Sequence, residues 1–125
     1  MAVKGVRPGE GVGYGVKFTA ERRTTIAIVP AGYADGLDMR LERGGAVLIR
    51  GRRAPIVGAV SMDMMMVDVS DLEVAPGDEV VIIGSQSSPA GDVDRIDARE
   101  MAAVVGTIPW EIVCRIGSRI QRVYT

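Results

Sequence analysis

Six short apolar, β-branched runs, each cut off by a cluster of Gly, Pro or Asp, dominate the first two-thirds of the chain and most narrow what it can fold into. They lie at 11–18, 24–30, 45–50, 53–60, 62–69 and 78–84, and each has the length and composition of a strand. The spacers PAGYADG (30–36), ERGG (42–45), RGRR (50–53) and APGD (75–78) carry the residues that favour turns. AVLIRGRRAPIVG (46–58) reads as a hairpin with Gly51 in its loop. Strands this short with connections this short predict a mainly β fold, an antiparallel barrel-like domain or a sandwich.

Helical signals come only near the C-terminus, and they predict one or two short helices. SQSSPAGDVDR (85–95) is polar and reads as an exposed loop. Asp97 is a candidate N-cap, with Glu100 three residues on to complete a capping box before MAAVVG. Thr107 is placed to cap a second helix, PWEIVCRI, with Pro109 early in it and Gly117 ending it. A last strand, RIQRVY (119–124), is expected to close the chain. At 125 residues, the whole of 1–125 is expected to be one domain with a real core.

Composition removes several classes of function. With 47% apolar and 25% charged residues the balance is globular, and a net charge of −1 gives no general attraction for nucleic acid or an anionic membrane. No run approaches the ~20 apolar residues of a membrane helix. There is one cysteine, Cys114, and no histidine. An internal disulfide is therefore impossible, a cytoplasmic setting is expected, and Cys/His zinc sites and Ser–His or Cys–His nucleophiles are excluded. Asp92, Asp94 and Asp97 lack the glycine and terminal glutamate of a calcium loop, so no metal site is expected.

Among residues that could carry chemistry, Tyr14 comes first. Gly11, Gly13 and Gly15 alternate with Val12 and Tyr14, which in a strand clears one face and leaves the tyrosine on the other. The residues alone favour the plainer reading, a β-bulge with a half-buried core tyrosine. Tyr33 stands in the turn GYADG (32–36). Four of the seven methionines fall in AVSMDMMMVDVSD (59–71), where methionine usually fills a core. Asp63 interrupts that apolar run and must find partners or lie at an edge. Trp110, the single tryptophan, is expected from its size to anchor the core. Arg22–Arg23 and Arg52–Arg53 read as solvated turn charges.

Taken in order, PGEGVGYG (8–15), GYADG (32–36), APIVGAVSMD (54–63), PGDEVVIIG (76–84) and TIPWEIVCRIGSRIQRVY (107–124) resemble the C-terminal β-domain of the alanine racemases. The resemblance implies a pyridoxal-phosphate isomerase that interconverts L- and D-alanine and supplies D-alanine for the cell wall. It implies an N-terminal (β/α)8 barrel, not found in this chain, and a head-to-tail homodimer in which each site joins one barrel to the partner's β-domain. A barrel lysine would hold the cofactor and move the α-proton on one face of a small amino-acid substrate. By position, Tyr14 would be the acid/base on the other. Met62 matches a methionine whose backbone N–H holds the substrate carboxylate, and Tyr33 and Asp63 match residues lining the access region. Trp110 stands where the family usually has a tyrosine on the cofactor phosphate.

The chain departs from the family where arginine is usual six residues after Tyr33 and just before VSMD: here stand Met39 and Ala59. That opens a broader amino-acid range as an alternative, beside a non-catalytic β-barrel interaction module. There are only two lysines, Lys4, expected to precede the domain, and Lys17, in the same run as Tyr14. Neither has the context of a cofactor lysine. The chain by itself is therefore expected neither to bind pyridoxal phosphate tightly nor to racemise alanine.

Overall fold

The computed structural model describes residues 2–6, 11–12, 18–19 and 24–124. Along the chain run β1 (Ala2–Val6), β2 (Gly11–Val12), β3 (Phe18–Thr19), β4 (Thr24–Val29), β5 (Ala46–Ile49), β6 (Arg52–Val57), β7 (Met65–Asp68) and β8 (Val80–Val81). There follow β9 (Gly84–Ser87), β10 (Val93–Ile96), α1 (Ala98–Val105) and α2 (Pro109–Cys114). The main sheet is antiparallel in the order β1-β4-β7-β6-β5-β8. It curls into a half-barrel, so the barrel-like expectation holds and the sandwich does not.

Side-chain alternation decides where the core sits. Val47 and Ile49 of β5 point inward with Val29, Met65 and Val67. Met101, Val105 and Ile112 of the two helices close over them. Each such side chain contributes roughly 1.5–3 kcal/mol of hydrophobic stabilisation, as an upper estimate. Leu48, between two inward residues, must face the other way, yet it is fully buried. The β9–β10 hairpin lies against β5 and brings the buried Ile96 to that side.

That hairpin corrects the reading of 85–95 as a loop. Its polar residues carry no strand pattern, but they are used as bridges. The Gln86 side chain accepts from Gly51 N–H at 2.8 Å and donates to the Glu79 carbonyl at 3.1 Å. Gly51, at φ +75°, sits where a Cβ would come within 2.2 Å of Ser88 N, so the two hairpin turns are locked together. Gly51 in the β5–β6 turn agrees with expectation.

Other boundaries also move. Residues 2–6 form the edge strand β1, so Lys4 lies within the sheet rather than ahead of the domain. Gly11–Val12 pairs antiparallel with Phe18–Thr19, so the two ends of the 11–18 run are not in line in one strand. Tyr14 and Lys17 lie outside the described residues, as do Arg22 and Arg23. β6 stops at Val57, where Gly58 takes φ +68°, and Met62 and Asp63 fall in the connection to β7 rather than in a strand. The α2 N-cap is Ile108, with Pro109 at the first turn, and the helix ends at Cys114. Residues 119–124 form no strand. Instead the Arg122 guanidinium donates to the carbonyls of Ile116, Gly117 and Ile120 and folds its own segment into a turn.

Asp97 caps α1 as expected, accepting from Glu100 N–H at 2.9 Å. The reciprocal half of a capping box is replaced. Glu100 binds Arg53 through both carboxylate oxygens, and Arg53 also donates to Asp94 and to the Arg95 carbonyl. Arg53 is thus a tie between β6, β10 and α1, not a solvated turn charge. No helix of the described residues is long and apolar enough to cross a membrane.

Candidate functional site

The loop after β4 meets the turn before β7, and backbone hydrogen bonds join them. Tyr33 N–H donates to the Ser61 carbonyl at 2.9 Å, and Ala34 N–H to the Met62 carbonyl at 2.8 Å. The contact requires Gly32. A Cβ there would lie 2.1 Å from Ser61 O and 2.7 Å from Asp63 N, inside backbone atoms that cannot yield. On the other side of the same loop, Gly36 has φ +107°, and a Cβ would lie 2.2 Å from Arg115 O. GYADG is therefore wedged between the Ser61–Asp63 turn and the segment after α2, with a glycine at each contact.

The loop also braces itself. Tyr33–Asp35 is a single 3₁₀ turn whose Asp35 N–H donates to Gly32 O at 3.0 Å. Gly32 N–H donates back to Asp35 Oδ2 at 3.0 Å. Ser61 shapes the opposing turn, donating from both N–H and Oγ to the Met64 carbonyl.

The result brings Tyr33, Met62 and Asp63 to one surface. Tyr33 is 44% exposed and Met62 55% exposed, and Asp63 is exposed at the tip of the turn. Asp63 thus lies in an exposed turn and does not interrupt a buried strand. Among the described residues, neither Met62 N–H nor Asp63 N–H has a protein acceptor. Of the methionine run, Met65 fills the core as expected, while Met62 and Met64 face solvent. Trp110 stands apart from these hydrogen bonds, at the start of α2 and 75% exposed. It is not the core anchor that its size suggests. Ile112, two residues on and so on another face of α2, takes that place.

Beside Tyr33 is a cleft of about 470 Å³ walled by Leu37, Asp38, Met39, Arg40 and Arg115. Arg40 donates to Asp38 from its backbone N–H and from Nε and Nη2, and Arg115 Nη1 reaches Asp38 Oδ2 at 2.6 Å. These bonds, Arg40's foremost, hold the Asp38 carboxyl well below the usual carboxylate range and raise Arg40 in turn. Arg115 also pairs with Glu111 at 2.6 Å. The cleft wall thus carries two guanidiniums and one carboxylate, and Glu111, outside the wall, pairs with one of the guanidiniums. Met39 is half exposed on it, and Ala59 is buried in the core. A second cleft of about 500 Å³, beyond Gly36, is lined mainly by aliphatic side chains such as Val80, Ile82 and Ile116.

Asp35, Asp38, Arg115 and Arg119 were not among the residues singled out from sequence. The local signals were the D-x-x-D spacing of Asp35 and Asp38 and the nearby Arg40, because Arg115 and Arg119 lie some eighty residues away.

The sequence profile described as alanine racemase, C-terminal domain, matches residues 1–124. The alanine racemase of Sorangium cellulosum is 47% identical over 125 residues, covering 99% of this chain and 33% of that protein. That of Symbiobacterium thermophilum is 49% identical over 123 residues, covering 98% and 31%. Among solved structures, the Bacillus anthracis alanine racemase with bound L-Ala-P superposes with a TM-score of 0.86 at 41% identity, over 95% of this chain and 29% of that one. The Bartonella henselae alanine racemase with covalently bound pyridoxal phosphate gives 0.85 at 34% identity, over 98% and 32%. The chain thus spans about a third of the length of these relatives. On a match that runs from its first strand to its last turn, the chain belongs to the alanine racemase C-terminal domain family.

Proposed function

We propose that this domain forms half of the active site of an alanine racemase, and that it acts against the N-terminal barrel of a partner subunit in a homodimer. The observation that carries the reading is the joined surface of Tyr33, Met62 and Asp63, held by two backbone hydrogen bonds and open on its outer side. It belongs to a chain that matches the family throughout.

Racemisation needs one proton donor–acceptor on each face of a planar carbon. Tyr14 takes one face. Its phenol, ordinarily near pKa ~10, acts as a base at neutral pH only where positive charge lowers it, and that charge comes from the assembled site. Met62 offers its N–H, which has no protein acceptor among the described residues, to the substrate carboxylate.

Among the described residues, Trp110 at the start of α2 is exposed, and its indole N–H is a donor that fits one phosphate oxygen and no more. Trp110 would hold the phosphate of pyridoxal phosphate. When bound, the cofactor supplies an electron sink for the deprotonated carbon. The product, D-alanine, serves the cell wall, and the setting is cytoplasmic, in keeping with an unpaired, exposed Cys114. Met39, half exposed on the cleft, favours a broader range of amino-acid side chains than an arginine there would allow.

Mixing this chain with a separately expressed racemase barrel tests the reading. Activity should appear and fall by at least ~100-fold with Tyr14→Phe, the usual scale for losing an acid/base group. No activity with the barrel present counts against it. The chain alone, incubated with pyridoxal phosphate, should show no cofactor–lysine absorbance band, and a robust band would contradict the division of labour.

A further inference from the structure

The GYADG loop is tied to the C-terminal segment through charge as well as shape. The Asp35 side chain is only 8% exposed, and both of its oxygens are used. Oδ2 accepts from Gly32 N–H at 3.0 Å, and Oδ1 accepts from Arg119 Nε at 2.9 Å. The Asp35 carbonyl also accepts from Gly117 N–H at 3.1 Å. Gly32 is the residue seated against Ser61–Asp63, and the next two N–H groups, of Tyr33 and Ala34, reach Ser61 and Met62. An unbroken series of contacts therefore runs from Arg119 through Asp35 and Gly32 to the turn that presents Met62 and Asp63.

We propose that Asp35 and Arg119 are a positioning pair that sets the geometry of the Tyr33–Met62–Asp63 surface, making the C-terminal segment a working part of the site. The proposal rests on the reading above that this surface faces substrate. A mostly buried carboxylate that loses its cation is left with an uncompensated charge, and it relaxes by moving toward water. Asp35 can do that only by releasing Gly32. A second tie, Asp38 to Arg115, keeps the segment attached when Arg119 is replaced, so the effect of Arg119 is on the loop and not on docking of the tail.

Arg119 is 52% exposed, so its replacement leaves the core intact. Amide hydrogen exchange on the chain with Arg119→Gln should show Tyr33 and Ala34 exchanging about tenfold faster or more, a local opening. Ala27 and Val67, paired across β4 and β7, should be unchanged. Arg119→Lys, which keeps the charge but not the fork of donors, should fall between. Unchanged exchange at Tyr33 and Ala34, or an equal rise at all four amides, overturns the proposal. In a racemase carrying this domain, Arg119→Gln should raise KM for alanine several-fold with kcat within about twofold, and a fall in kcat alone would also overturn it. If that racemase is inactive with Arg119 intact, the functional reading fails while the exchange measurement still decides the positioning role.

Discussion

Gly32 shows how little room a single position can leave. It has an extended backbone that any residue could adopt, yet a Cβ there would sit 2.1 Å from a carbonyl oxygen. Gly32→Ala should therefore cost about 3 kcal/mol, at the upper end for overpacking, because the obstructing atoms are backbone. Gly5→Ala, with open space around it, should stay within about 0.5 kcal/mol. Urea denaturation of both variants checks the contrast, and equal effects would mean that the two loops are not in contact. Sequence marks GYADG as a turn but not this requirement. The atoms that forbid a side chain at Gly32 come from a segment thirty residues away.

At the level of elements, Arg53 links β6 to β10 and to the first turn of α1. Its acceptors, Glu100 first and then Asp94, hold its guanidinium well above its usual pKa. All three side chains are about 40% exposed, so solvent and salt weaken each pair. Arg53→Ala should lower stability by only about 1 kcal/mol, and a double-mutant cycle with Glu100→Ala should show positive coupling. Additive effects in thermal unfolding would mean that the pair carries nothing. The strands β4 to β7 were legible because each is a short apolar run cut off by turn residues; β6 and β7 alternate as well, while β5 is buried at three successive positions. β9 and β10 were not, because their hairpin is held by Gln86, Arg53 and Ser88 rather than by an apolar stripe.

For the whole molecule, acid stability follows from three carboxylates held below their ordinary value. Asp38 is lowered by Arg40, Asp94 by the Arg95 N–H and Arg53, and Asp97 by the Glu100 N–H that it caps. A depressed folded-state pKa means that the unfolded chain binds the proton more readily. The stability from these groups is complete above about pH 4–5 and declines as pH falls through the carboxylate range toward the folded-state values. Asp38→Asn should flatten the fall in urea midpoint between about pH 5 and pH 2.5, and an unchanged slope would remove Asp38 from the account. Strand periodicity, turn residues and the Asp97 cap were determined by the sequence itself, because each depends on neighbours within a few positions. So was the family, because its motifs keep their order along the chain. The closing of two loops on Gly32, the Asp38–Arg115 pairing, the Asp35–Arg119 pair and the exposure of Trp110 were decided only by the tertiary structure. Each depends on which distant segments the curled sheet brings together, and no local pattern encodes that distance.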